Sequence, residues 1–170
     1  MSRTITSKSK KIIAAFVTAI LMTGCAAGGN AETRLINQVT DGVEGESNEI
    51  QVRNLLVVKQ VDGTGVLIGT FINWADDGDA ISSITIDGQP AVLTADSLEL
   101  KKNTPITFVG DIANADASVA NMTALAGYRI PVVVTFTRAA PINFDALILT
   151  ADGIYADIEN MRFKAQPSNL

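Results

Sequence analysis

Beyond residue 48 the sequence never holds a helical apolar period for more than a turn or two. It alternates instead. In residues 129–137, Ile130, Val132, Val134 and Phe136 share one parity while Val133, Thr135 and Thr137 take the other, the period-two pattern of a strand with one buried face. Residues 142–150 repeat the pattern with Phe144, Ala146 and Ile148. Residues 50–58 are apolar on both parities, with Ile50, Val52, Leu56 and Val58 on one and Leu55 and Val57 on the other. That is how a strand covered on both sides reads. Turn residues separate these runs: Asp62-Gly63, Asp87-Gly88, Lys101-Lys102-Asn103 and Asp152-Gly153. Further strands are expected at 66–75 (Val66, Ile68, Ile72 and Trp74 on one face), 80–86, 91–94, 97–100 and 105–109. A loop is expected at 111–116, and one or two helical turns at 119–126. About eight short strands with turns near every tenth residue define an all-β fold, an antiparallel β-sandwich of immunoglobulin or cupredoxin-like kind.

The first residues are written differently. Arg3, Lys8, Lys10 and Lys11 form a basic segment, 12–22 is an apolar run, and Thr23-Gly24 are small residues before Cys25, the one cysteine of the chain. Basic flank, apolar segment and small residues make the plan of a secretory signal. The apolar run falls short of the ~20 residues a membrane-spanning helix takes. Leu21-Met22-Thr23-Gly24-Cys25 resembles the lipobox of bacterial lipoprotein signals, with Met22 where Leu is usual. The resemblance implies that Cys25 becomes the lipid-bearing first residue of the mature chain, on the outer face of the cytoplasmic membrane. The other reading is an ordinary signal with an incidental or buried thiol. One cysteine allows no intrachain disulfide.

Loss of 1–24 removes four of the 13 basic residues and none of the 18 acidic ones, so the formal charge passes from −5 to −9. An acidic chain argues against nucleic acid, or an anionic membrane surface, as a direct electrostatic partner. Membrane attachment is then the work of the lipid anchor, whose several acyl chains matter because one alone binds only marginally. Residues 25–48 are small, polar and acidic, and are expected to form a flexible tether, with Leu35, Ile36 and Val39 as its main apolar side chains. The organisation is thus 1–24 signal, 25–48 lipidated Cys and tether, 49–150 β-sandwich domain, and 151–170 C-terminal tail.

Histidine is absent from the chain, which removes the usual general base and the commonest metal ligand. No glycine pattern of phosphate-binding kind opens a helix. No catalytic residue and no cofactor are expected, although chemistry by carboxylates alone stays open. Asp76, Asp77 and Asp79 are the cluster a hard cation would want, but three acids on a hairpin loop are ordinarily solvated, and their spacing departs from a calcium loop. Trp74 reads either as an interface anchor or as a cover over one end of the core. Trp74, Asp76, Asp77 and Asp79 are therefore the candidate interface residues. Tyr155, Met161 and Phe163 in the tail pack on a partner or fold back on the domain.

Three segments carry a family resemblance: Arg53-Asn54-Leu55-Leu56-Val57-Val58, the run from Gly65 to Asn73, and Asp79-Ala80-Ile81-Ser82-Ser83-Ile84. With Gly127-Tyr128-Arg129-Ile130-Pro131 and the strand after it, they resemble the LpqE-type lipoproteins of mycobacteria and corynebacteria. The resemblance implies a place on the outer face of the actinobacterial respiratory supercomplex of cytochrome bc complex and cytochrome oxidase, as an accessory subunit, and it shows no chemical activity. The later segments also resemble the periplasmic copper-chaperone family PCuAC, which binds Cu(I) through His and Met. This chain has no His, and beyond the leader only Met122 and Met161, whereas soft Cu(I) binding calls for several such ligands. A metal-handling module with lost ligands is the alternative function.

Overall fold

The structure is a computed structural model and describes residues 41–164. Cys25, the signal segment, the tether up to residue 40 and residues 165–170 lie outside the described residues. In chain order the elements are β1 (Val43–Ser47), β2 (Ile50–Lys59), β3 (Gly65–Asn73), β4 (Asp79–Ile86), β5 (Gln89–Pro90), β6 (Val92–Ala95), β7 (Glu99–Leu100), β8 (Ile106–Phe108), β9 (Ala115–Val119), β10 (Arg129–Phe136) and β11 (Ile142–Thr150). A 3-10 turn (Gly153–Tyr155) and a short helix α1 (Ile158–Met161) follow.

One residue decides how the longest strand works. Asn54 has a left-handed backbone, with φ of 52°, and the β2–β3 register shifts between Arg53 and Leu56. This bulge adds a residue and reverses which parity faces which side. Ile50, Val52, Leu55 and Val57 therefore all belong to the main core, while Leu56 and Val58 face outward into a second cluster with Val66, Ile68, Val109 and Ile158. The two-sided coverage expected of β2 is present in its second half. The expected face, with Ile50 and Val52 alongside Leu56 and Val58, is corrected by the bulge.

The strands form one barrel-like sheet in the order β5-β4-β10-β11-β2-β3-β8-β9-β6. Pairing is mostly antiparallel, but β11–β2 and β8–β9 are parallel. Residues 89–95 bring the two ends of the sheet together, since β5 pairs with β4 and the directly following β6 pairs with β9. β10 and β11 present the inward residues that alternation predicts: Ile130, Val132, Val134 and Phe136, with Phe144, Ala146 and Ile148. Phe71 and Phe108 meet edge to face at 5.5 Å in the interior, a geometry worth about 1 kcal/mol beyond burial.

Three expectations change. Residues 43–47, placed in the tether, form β1 along β2. Backbone pairing holds this strand rather than burial of large side chains, and Gly45 lies against the ring of Phe144, where a Cβ would come within 2.6 Å. Residues 119–126 are not helical: β9 runs through Val119, and an irregular loop leads to β10. β9 itself begins at Ala115, inside the expected loop. The segment after residue 150 folds back, and α1 lays Ile158 over the outer cluster.

Candidate functional site

The end of β3 organises the acidic loop. Asn73 is buried. Its amide donates to the carbonyls of Asp77 and Leu100, both at 2.9 Å, and its oxygen accepts from the Ala75 N–H. The chain is thereby turned at Trp74, whose own N–H donates to the Glu49 carbonyl. The indole is 46 % exposed, so Trp74 does not cap the core.

The three acids of this loop do not converge. Asp76 receives a hydrogen bond from the Lys102 ammonium. That bond, with the cation's charge, holds its carboxyl below the usual range and raises Lys102. Asp79 points to the loop between β10 and β11 and accepts from the N–H groups of Arg138 and Ala139 at 3.0 and 2.8 Å, and from that of Ala80. Burial alone would raise this carboxyl. The backbone donors, Ala139 foremost, and the Arg138 charge outweigh it and leave it below the ordinary value. Asp79 is thus a structural staple, whereas the Asp76 and Asp77 side chains lie on the surface. A crevice of about 300 Å³ opens beside them, lined by Glu49, Asn73, Asp77, Asp79 and Arg138 together with Ile50 and two alanines. Among the described residues no three His, Cys, Asp or Glu side chains are grouped to hold a metal ion.

The methionines are also apart. Met122 is buried in the main core, where its Cε methyl fills the space left by Gly65. Met161 packs on the outer cluster. The β2–β3 layer separates the two clusters.

Sequence reasoning gave no role to Arg162. Its guanidinium forms a two-pronged bond to Asp116, at 2.8 and 2.7 Å, and also reaches Ser118 and Glu159. The Asp116 side chain is 5 % exposed. The hydrogen bonds it donates to Asp116 raise the Arg162 pKa despite partial burial. This pair fastens the tail across the outer face, and the Met161 carbonyl accepts from the Gly110 N–H. The signal in the sequence was one acid on an otherwise small and apolar strand.

At the opposite end from Trp74, the loops 60–64, 121–128 and 151–156 lie together. The Met122 N–H donates to the Gly63 carbonyl, the Lys59 ammonium to the Ala124 carbonyl, and the Ala151 N–H to the Lys59 carbonyl. Exposed Val61, Leu125, Tyr128 and Ile154 stand on these loops. No helix among the described residues is long and apolar enough to cross a membrane.

No protein-family model matches the sequence, and no curated protein does. Solved structures do resemble it. The copper-bound PCuAC domain from PmoF2 superposes with a TM-score of 0.54 at 14% identity, covering 64% of this chain and 98% of that one. The apo PCuAC domain from PmoF1 gives 0.54 at 18% identity, covering 64% and 99%. Identities this low speak for the fold alone, and on that ground the described part of the chain is a nearly all-β, barrel-like domain on a PCuAC-type scaffold.

Proposed function

We propose that this chain is a lipid-anchored, non-enzymatic module of the cell envelope that binds another envelope protein through the end bearing Trp74. The carrying observation is that indole: a large aromatic left half exposed at the barrel end, beside the accessible Asp76 and Asp77. Tryptophan in such a setting is a common anchor of interfaces. The LpqE-like segments point to the cytochrome bc–oxidase supercomplex as partner. Affinity purification from solubilised membranes tests this. Oxidase or cytochrome bc subunits should accompany the protein, and Trp74→Ala should weaken their capture by about 2 kcal/mol, roughly 30-fold. Purification free of those subunits removes the partner assignment.

The fold comparison favours a second reading, metal handling, since one structural neighbour is a copper-bound domain. Against it stand the missing histidines and the separate burial of Met122 and Met161. Copper loading under reducing conditions, followed by metal analysis, decides between the two. A stoichiometric Cu(I) complex would give the domain to metal handling, and substoichiometric metal to the docking role.

A further inference from the structure

The described chain begins at Asp41, and the direction of β1 says from which side it comes. β2 runs from Ile50, opposite Asn73, to Lys59, opposite Gly65, so it climbs from the Trp74 end to the end formed by loops 60–64, 121–128 and 151–156. β1 is antiparallel to it, with Ser47 opposite Ile50 and Val43 opposite Leu55. Tracing β1 backwards therefore leads away from Trp74 and towards the other end. Burial raises the pKa of the Tyr155 phenol at this end, and the Asp41 charge adds to that rise. The segment that would carry the lipid leaves the domain towards this end.

The same end carries four of the seven large apolar side chains exposed among the described residues: Val61 at 104 %, Ile154 at 80 %, Tyr128 at 66 % and Leu125 at 63 %. Leu125 and Tyr128 rim a shallow hollow of about 340 Å³. They stand on three different loops, so no single turn accounts for them. Their chemistry suits the boundary of a bilayer, where apolar side chains and the amphipathic tyrosine ring are favoured. Asp62 and Asp152 share this end. Each is bonded within its own turn, Asp62 accepting from the Thr64 N–H and Asp152 from the Thr150 hydroxyl.

We propose that this end of the barrel rests on the lipid bilayer into which the Cys25 anchor inserts, so that Val61, Leu125, Tyr128 and Ile154 form a membrane-seated foot. The inference rests on the lipid-anchor reading and adds an orientation to it. Cys25 and Asp41 are 16 positions apart, a tether of at most about 55 Å when extended. A lipid on Cys25 does not by itself set the pose of the domain. The chain enters midway along β2, with Gly42 against Asn54 and Val43 opposite Leu55, and is headed towards the end where the four apolar contacts bias one pose, with Trp74 held outward. β2 is ten residues long, which puts Trp74 about 30 Å above the foot. Asp62 and Asp152 stand at its edge and Arg129 lines the hollow beside Leu125 and Tyr128, so the foot is held by apolar contact rather than by charge of one sign.

The test uses the full lipidated protein in phosphatidylcholine vesicles, with and without doxyl-labelled lipid. Val61→Cys and Ile154→Cys variants carry an environment-sensitive dye, and Asp76→Cys carries it as the control at the far end. Trp74, the only tryptophan, serves as an intrinsic reporter. Mass analysis of the acyl group on Cys25 is done first. The expected result is a blue shift and at least twofold stronger quenching at 61 and 154 than at 76, with Trp74 unquenched. The variant Val61→Asp/Leu125→Asp/Ile154→Asp should abolish the difference while its thermal transition stays near that of the parent. Acylated protein with equal, weak quenching at all positions overturns the foot and leaves the anchor standing. Absence of the acyl group overturns the anchor reading, and the foot with it. Dye at 61 and 154 that is shielded in native membranes but unquenched by labelled lipid gives the surface to a protein, and overturns the proposal.

Discussion

Two carboxylates here hold structure, and each gives a measurable signature. A group whose folded pKa lies below its unfolded value contributes stability that is full above the unfolded pKa and lost as pH falls through the folded one. Asp79 is such a group. Asp79→Asn should destabilise the domain by about 2 kcal/mol at pH 7, since the backbone donors it serves lose a charged acceptor. In urea unfolding, the gap to the parent should close as pH drops below the ordinary value of 3.8. A gap that persists at lower pH would mean that charge is not what Asp79 supplies. Arg162→Ala leaves Asp116 as a buried, unpaired carboxylate, which costs about 3 kcal/mol. Replacing both partners together, Asp116→Val with Arg162→Met, should recover most of that loss. Trp74→Ala, at an exposed position, should change stability by no more than about 0.5 kcal/mol, so a binding defect in that variant reports on the interface.

Among the elements, α1 shows how a short piece acts through what it covers. Its four residues are too few to be a stable helix in isolation, and it persists because Ile158 closes the outer cluster. Ile158→Ala should cost about 2–4 kcal/mol. It should also raise protease cleavage after residue 150 before the barrel itself melts, which limited proteolysis with mass spectrometry would register. The strands that carry clean alternation, β10 and β11, were legible in the sequence because each has one face on the core and no inserted residue of its own; where the β10–β4 register shifts, between Thr135 and Phe136, the extra residue is on β4. β2 was legible as a strand, but its faces were not, because a single left-handed Asn54 reverses parity without altering composition. β1 was invisible to hydrophobic pattern, since Gly45 and Ser47 contribute backbone pairing and close approach instead of apolar area. Trp74 and its acidic neighbours could be found from residue type. That Asp79 serves the β10–β11 loop, 60 residues on, and that Arg162 seeks Asp116, depends on pairings that no local window contains.

For the molecule as a whole, the anchor is the feature to break first. Cys25→Ser should release the protein to the medium or stall it as precursor, as fractionation and immunoblotting would show. Undiminished membrane retention would mean that something other than lipid holds the chain. If the anchor stands, the direction of β1 acquires a mechanical meaning. A pull from the membrane then reaches the described chain at Asp41, just before β1, while Trp74 and a partner docked on it lie at the other end. The β1–β2 pairs, from Val43↔Leu55 to Ser47↔Ile50, then bear load together in shear. β1 would then be both the first strand of the barrel and the segment through which the anchor's load reaches it.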